Sequence, residues 1–298
     1  MKIKKHNIVI CIVALLCIGA AGYLAYDKLY GRDATTNNIH MSVLEKVRSR
    51  VEAELLDLNF MGGFDKEDGQ VINDDRGIPV IGYHSIGYDP TGKNPLVVSP
   101  EKFKEQLQKL VEKGYTTLTM EQVQNYLIND NPIPAKSVLL TFDDGYEDNY
   151  TNAFPILKEF NMNATIFVIP GYLDGGVYLS RDQVKEMSSS GLIDIESHTY
   201  SHKRLNELSY NEQLKELVSS KKALSDLIGK EVTAIAYPEG LYNDDTLKAV
   251  AEAGYKTGFT IDRGYADRGD NVYKLNRVCV DNTYSGKNIL YVLKCIKK

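Results

Sequence analysis

Between residue 78 and the C-terminus, short apolar runs alternate with longer amphipathic ones, and this rhythm restricts the possible folds more than any other feature of the chain. Short runs rich in β-branched and aromatic residues read as buried strands; longer runs with apolar positions at i, i+3 and i+4 read as helices. The pattern predicts strands over 79–84, 137–142, 164–169, 192–196, 232–237, 255–261 and 273–280. It predicts helices over 100–113, 120–128, 150–160, 180–189, 211–228, 244–253 and 287–296. Ser99 and Pro100 supply an N-cap and a first-turn proline, and Gly114, Gly229 and Gly254 stand where helices should stop. Seven strands alternating with helices fit a closed barrel of βα units, with an open doubly wound sheet as the alternative.

One strand ends in an unusual way. Leu139-Leu140-Thr141-Phe142 runs straight into Asp143-Asp144-Gly145. Two adjacent carboxylates are costly inside a sheet, so they belong at its mouth, where strand ends deliver side chains into a cleft. Neighbouring carboxylates also push their pKa values apart unless a cation holds one ionised. A metal ligand beside a general base satisfies both conditions; Asp-Gly as plain turn chemistry needs neither.

Of five histidines, three fall at or just past predicted strand ends: His84, His198 and His202. His198 and His202 have i, i+4 spacing, and a helical turn would bring both imidazoles to one face, within reach of one metal. With a strand-end aspartate they would make a two-histidine, one-carboxylate set with open positions for water and substrate. Surface histidines capping a Ser/Thr loop are the plainer alternative. Tyr237-Pro238-Glu239-Gly240 closes another strand as a turn able to wall a groove.

Residues 1–76 have a different character. Lys2, Lys4 and Lys5 precede an uncharged segment over 7–26 with an apolar core over 8–25. That core is at the short end of what crosses a bilayer, and lysines on its N-terminal side predict an extracytoplasmic body. We expect 1–26 to anchor the chain in the membrane, with a cleaved signal peptide ending near Gly19-Ala20-Ala21 as the alternative. Residues 27–76 read as a stalk: an amphipathic helix over 41–58, then a linker rich in Gly, Asp, Glu and Asn. Residues 77–298 form the folded domain.

The net charge of −5 includes those three lysines, so the rest of the chain carries −8, which argues against nucleic acid as a partner. No GxxxxGK[ST], GxGxxG or GxSxG pattern occurs, leaving nucleotide binding and serine-esterase chemistry without support. Twenty tyrosines and no tryptophan suit a sugar-binding groove as well as ordinary packing. Cys279 and Cys295 lack zinc-knuckle spacing; an exported domain could link them.

Thr141-Phe142-Asp143-Asp144-Gly145, followed by His198-Thr199-Tyr200-Ser201-His202, resembles the first two motifs of the polysaccharide deacetylases, the NodB-homology family. Tyr83-His84, Gly145-Tyr146-Glu147-Asp148-Asn149-Tyr150 and Ala236-Tyr237-Pro238-Glu239-Gly240 resemble the branch containing poly-N-acetylglucosamine deacetylases of biofilm matrices. The resemblance covers about 78–280. It implies a distorted (β/α)7 barrel with one divalent metal, zinc first, with cobalt, nickel or iron also suited to the donors. It implies Asp144, His198 and His202 as metal ligands, Asp143 as general base and His84 as general acid. Tyr146 would serve the oxyanion through its backbone N–H, and Tyr237 and Pro238 would line the groove.

Three departures from the family pattern stand out. Ala236 replaces a usual arginine, no Asp-x-x-Asp-Trp motif occurs, and Leu275-Asn276-Arg277 stands in place of Leu-x-His. The group that orients Asp143 is therefore open, with Arg277 and Asp262 as candidates. The implied reaction removes N-acetyl groups from an extracellular hexosamine polysaccharide, either poly-N-acetylglucosamine or peptidoglycan. An O-acetyl esterase would use the same residues, and a non-catalytic wall-binding module would keep only the fold.

Overall fold

In a computed structural model the chain divides into two units, 1–65 and 66–298, and the residues described, 71–72 and 77–295, belong to the second. The expected anchor and the stalk helix over 41–58 lie outside the described residues. Among the described residues no helix is long and apolar enough to cross a membrane.

Seven parallel strands form a closed ring: β1 (Val80–Tyr83), β2 (Ser137–Phe142), β3 (Ala164–Val168), β4 (Ile193–Ser197), β5 (Ala234–Ala236), β6 (Thr257–Arg263) and β7 (Leu275–Cys279). Each pairs with the next in the chain, and β7 returns to β1 through Val278 opposite Ile81. The structure is thus the barrel and not the open sheet. The helices are α1 (Pro100–Glu112), α2 (Met120–Asn129), α3 (Phe154–Phe160), α4 (Arg181–Ser189), α5 (Tyr210–Ile228), α6 (Asp244–Glu252) and α7 (Gly286–Cys295).

The strands β1, β2 and β3 are largely apolar because both faces are covered. On β2 every residue is buried. Val80, Leu139, Phe167, Phe259 and Leu275 fill the interior together with Met120, Val123 and Tyr126 of α2. Alternate residues, among them Ile81, Leu140, Ile166, Ile195 and Val278, pack outward against the other helices. Helix α2 lies across the strand beginnings, where its Met120 N–H donates to Asp194 and Gln124 donates to Thr233 and Thr257. The opposite end of the barrel, where the strands finish, stays available for chemistry.

Local sequence explains the helix boundaries. Ser99, Thr119, Ser180 and Asn243 accept hydrogen bonds from first-turn N–H groups, and Gly229 ends α5 in the left-handed conformation at φ 67°. Two regions differ from expectation. The helix predicted over 150–160 begins as a π-helical turn over Asn149–Ala153 before α3. Pro155 has no N–H to return to Thr151, and Phe154 N–H reaches back to Asn149 instead. Val71–Ile72, assigned to the linker, pairs antiparallel with Ile133–Pro134, so the chain joins the domain before residue 77. Cys279 is a free thiol and does not take up the link to Cys295 that the sequence left open.

Candidate active site

Strand register brings the candidate residues together. Asp143 N–H donates to the Tyr83 carbonyl at 2.9 Å, so His84 and Asp143 leave β1 and β2 side by side. His198 N–H bonds the Val168 carbonyl where β3 and β4 end. Asp144 and Gly145 then adopt left-handed backbone, φ 73° and 71°, which turns the chain sharply at the barrel mouth. Aspartate tolerates that region better than most residues.

Asp144 Oδ1 lies 3.4 Å from His198 Nε2 and 3.4 Å from His202 Nε2. The His198 Nδ1 sits 2.8 Å from the Ala236 carbonyl, which places a proton on Nδ1 and turns Nε2 toward the carboxylate. Burial opposes ionisation of Asp144, but the two imidazoles win and hold its carboxyl far below the usual range. Burial likewise works against His198⁺, and the Asp144 and Asp143 carboxylates outweigh it, raising that pKa. The three donor atoms, all within 4.8 Å of one another, fit a metal. Tetrahedral bonds of about 2.0–2.1 Å put ligand atoms about 3.3–3.4 Å apart, the separation found at both histidines.

The two imidazoles do not meet on a helical turn. Residues 198–202 form an irregular loop in which Thr199 (φ 62°) and His202 (φ 56°) are left-handed. A buried, β-branched threonine in that region is strained and must be held by its surroundings. Thr199 N–H donates to Ser197 Oγ, His202 N–H donates to Thr199 Oγ1, and Ser201 donates twice to Glu216 of α5. Tertiary bonds, rather than helical periodicity, set the His198–His202 distance.

Beside this triad, Asp143 is 2% exposed and Arg277 0%. The guanidinium grips both carboxylate oxygens, Nη1 to Oδ1 at 2.7 Å and Nη2 to Oδ2 at 2.8 Å. Its remaining donors reach the Thr260 carbonyl at 2.8 Å and Thr141 Oγ1 at 3.3 Å, and its plane lies over the Phe167 ring. Burial pushes the Asp143 carboxyl up, but Arg277 outweighs it and leaves the group below its ordinary value. Asp262, the other candidate for orienting Asp143, is exposed on β6, with its N–H donating to Thr260 Oγ1, and it is Arg277 that holds Asp143.

His84 Nε2 is 4.0 Å from Asp143 Oδ2. Burial lowers the His84 pKa despite the two nearby carboxylates. The loop that carries it is clamped from the π-helical turn, a feature absent from the sequence-based site. Asp148 accepts from Ser85 Oγ at 2.5 Å and from Ile86 N–H at 3.1 Å. Asn149 and Asn152 donate to the His84 and Ile86 carbonyls, each at 2.8 Å. The polar run directly after Tyr146 was the available signal.

Tyr146 forms a bridge to Tyr178 whose two hydrogen bonds, Glu147 N–H to Val177 and Leu179 N–H to Gly145, flank Tyr146 without using its own N–H. Tyr237 and Pro238 differ from expectation. Both are buried, and Tyr237 Oη is spent on the Tyr273 carbonyl at 2.7 Å, so they support the mouth from beneath and do not face a groove. Glu239 reaches the rim instead, in a bidentate pair with Arg204.

A family model described as polysaccharide deacetylase matches residues 130–258. YxkH of Bacillus subtilis (strain 168), a protein named for the same family, is 41% identical over 209 residues, covering 70% of this chain and 73% of that one. The chain belongs to the polysaccharide deacetylase family. The poly-beta-1,6-N-acetyl-D-glucosamine N-deacetylase of Staphylococcus aureus (strain MSSA476) is 32% identical over 201 residues, 62% of this chain and 68% of the relative. Among solved structures, the Streptococcus pyogenes deacetylase PplD in complex with acetate superposes with a TM-score of 0.71 at 35% identity, covering 74% of this chain and all of that one. Members of this family are hydrolytic deacetylases.

Proposed function

We propose that this polysaccharide deacetylase is a metal-dependent N-deacetylase acting on an extracytoplasmic hexosamine polymer, poly-N-acetylglucosamine or peptidoglycan, with residues 1–26 anchoring it to the membrane. One observation carries the chemistry: Asp144, His198 and His202 converge on a single point beside an ionised, arginine-held Asp143. The similarity to an N-deacetylase of poly-beta-1,6-N-acetyl-D-glucosamine supports the substrate class.

Asp144, His198 and His202 would hold the metal, zinc by preference and cobalt, nickel or iron otherwise. A divalent ion bound there supplies Lewis-acid chemistry, making water acidic enough to deprotonate near neutral pH and polarising the acetamide carbonyl. Asp143 is the proton acceptor. Arg277 occupies one lone-pair direction on each of its oxygens and leaves the others for water. The Tyr146 N–H, unused in its bridge, is the backbone donor available to a developing oxyanion. His84 donates to the departing amine. Burial lowers the His84 pKa, so an acid role predicts a rate that falls as pH rises through that pKa, because the protonated fraction shrinks.

Acetate release from poly-N-acetylglucosamine, peptidoglycan and acetylxylan, with and without chelator, tests the assignment. We expect N-acetyl substrates to be turned over, chelation to stop turnover, and Asp143→Asn to abolish it while retaining metal. Undiminished activity in Asp143→Asn, or activity on acetylxylan alone, refutes it.

A further inference from the structure

Four tyrosines stand on three loops that leave the barrel mouth. Tyr146 follows β2, Tyr172 and Tyr178 lie in the loop after β3, and Tyr200 stands between the two histidines after β4. Tyr146 and Tyr178 stack nearly parallel and offset, with centroids 5.5 Å apart and planes 13° from parallel. Tyr172 closes on Tyr178 at 4.9 Å, tilted by 51°. Tyr172 Oη donates to the Ser201 carbonyl, and Gly171 N–H donates to the Tyr200 carbonyl at 3.0 Å. A Cβ at Gly171 would lie 2.5 Å from that carbonyl oxygen, so a glycine is needed for the β3 loop to rest against the loop of His198 and His202.

Tyr172 and Tyr200 remain 36% and 41% exposed, although backbone bonds fix the loops that carry them. Open aromatic faces on a fixed frame are suited to a ligand, because little conformational freedom is left to lose on binding. The four rings are uncharged and pair an apolar face with a hydroxyl.

We propose that this tyrosine rim is a subsite for a hexose ring of the glycan chain adjacent to the unit being deacetylated. The proposal rests on the N-deacetylase assignment and adds where the polymer runs. A pyranose presents a C–H face that stacks on an aromatic ring and hydroxyls that meet tyrosine oxygens. A neutral aromatic rim suits it better than an anionic or cationic partner. Tyr146 lies two residues from Asp144, and Tyr200 lies within the ligand loop, so the subsite is continuous with the reacting centre.

The full chain, with Tyr172→Ala and Tyr172→Phe, should be assayed for acetate release on N-acetylglucosamine oligomers of increasing length. In the wild type KM should fall as the oligomer lengthens. Tyr172→Ala should remove that fall, raising KM on the longest oligomer about tenfold with kcat within about twofold, as expected for one lost stacking contact. Tyr172→Phe should keep most of the gain. Calorimetric binding of the same oligomers to Asp143→Asn, with and without Tyr172→Ala, reads the subsite without turnover and should show the same tenfold loss. Equal effects on short and long oligomers, or no effect on binding, overturn the subsite while leaving the deacetylase assignment standing. Loss that appears only with peptide-bearing peptidoglycan fragments also overturns it, in favour of a peptide site. A wild type that releases no acetate from any oligomer overturns both.

Discussion

Arg277 offers the sharpest test of how the site is held. It is fully buried, and its partner Asp143 is 2% exposed, so Arg277→Met leaves a carboxylate inside the barrel without the guanidinium that holds both its oxygens. Breaking a buried ion pair from one side costs about 3–5 kcal/mol, and the Thr260 carbonyl loses a donor worth about 1 kcal/mol more. Against a typical domain stability of about 5–15 kcal/mol, the variant should be folded but marginal at neutral pH.

The sign of the pH dependence separates this account from a simple packing defect. In the wild type the Asp143 pKa is depressed, so the stability from the pair is present above the unfolded carboxyl value and lost as pH falls through the folded one. Without Arg277, burial raises the folded pKa above the unfolded value. The penalty then vanishes below the unfolded value of about 3.9 and grows as pH rises through the new folded pKa. Urea unfolding at about pH 7 and about pH 4.5 should therefore show a deficit that shrinks on acidification. Arg277→Met with Asp143→Asn should recover much of the loss, since neither partner is then left charged. A deficit below about 1 kcal/mol at neutral pH, or one independent of pH, refutes the reasoning.

Two other outcomes follow from named groups. Asp144→Asn and His198→Ala should each lose bound metal by elemental analysis, whereas His84→Ala should retain it, because only the first two belong to the converging donor set. Glu196 lies inside the barrel with its pKa raised by burial to about 8, so its contribution is fully present below the ordinary glutamate range and lost as pH rises through 8. Glu196→Gln should flatten the decline in stability over that interval in denaturant titrations across pH.

The parts of this molecule visible in the chain alone are those determined over short distances. β2 could be read because a run covered on both faces must be apolar throughout, and its end because an acid pair cannot continue inward. His198 and His202 could be paired from their spacing, but their path could not, because the loop with left-handed Thr199 is held in part by Ser201 bonding Glu216 on a different element. Tyr237 was placed at a groove by its strand-end position. What buries it is the Tyr273 carbonyl, and no local pattern reports that contact. Arg277 could only be nominated, since its partner lies 134 residues away and the two meet through closure of the barrel.

That closure also explains how the arginine can stand on β7 when the family pattern expects it at the position of Ala236 on β5. In a closed barrel, inward-facing residues of one layer all reach the same central space, whichever strand carries them. Ala236 packs inward with Phe167, Phe259 and Leu275, and Arg277, two residues beyond Leu275 on β7, enters the same interior above Phe167. Arginines at both positions would compete for one volume beside one carboxylate, and close packing admits only one. With the small residue on β5, the Ala236 carbonyl is left to fix the His198 tautomer, while the guanidinium arrives from the side of the barrel that also bonds Thr260. What the site needs in physical terms is a buried cation on Asp143, and closure of the barrel lets β7 provide it.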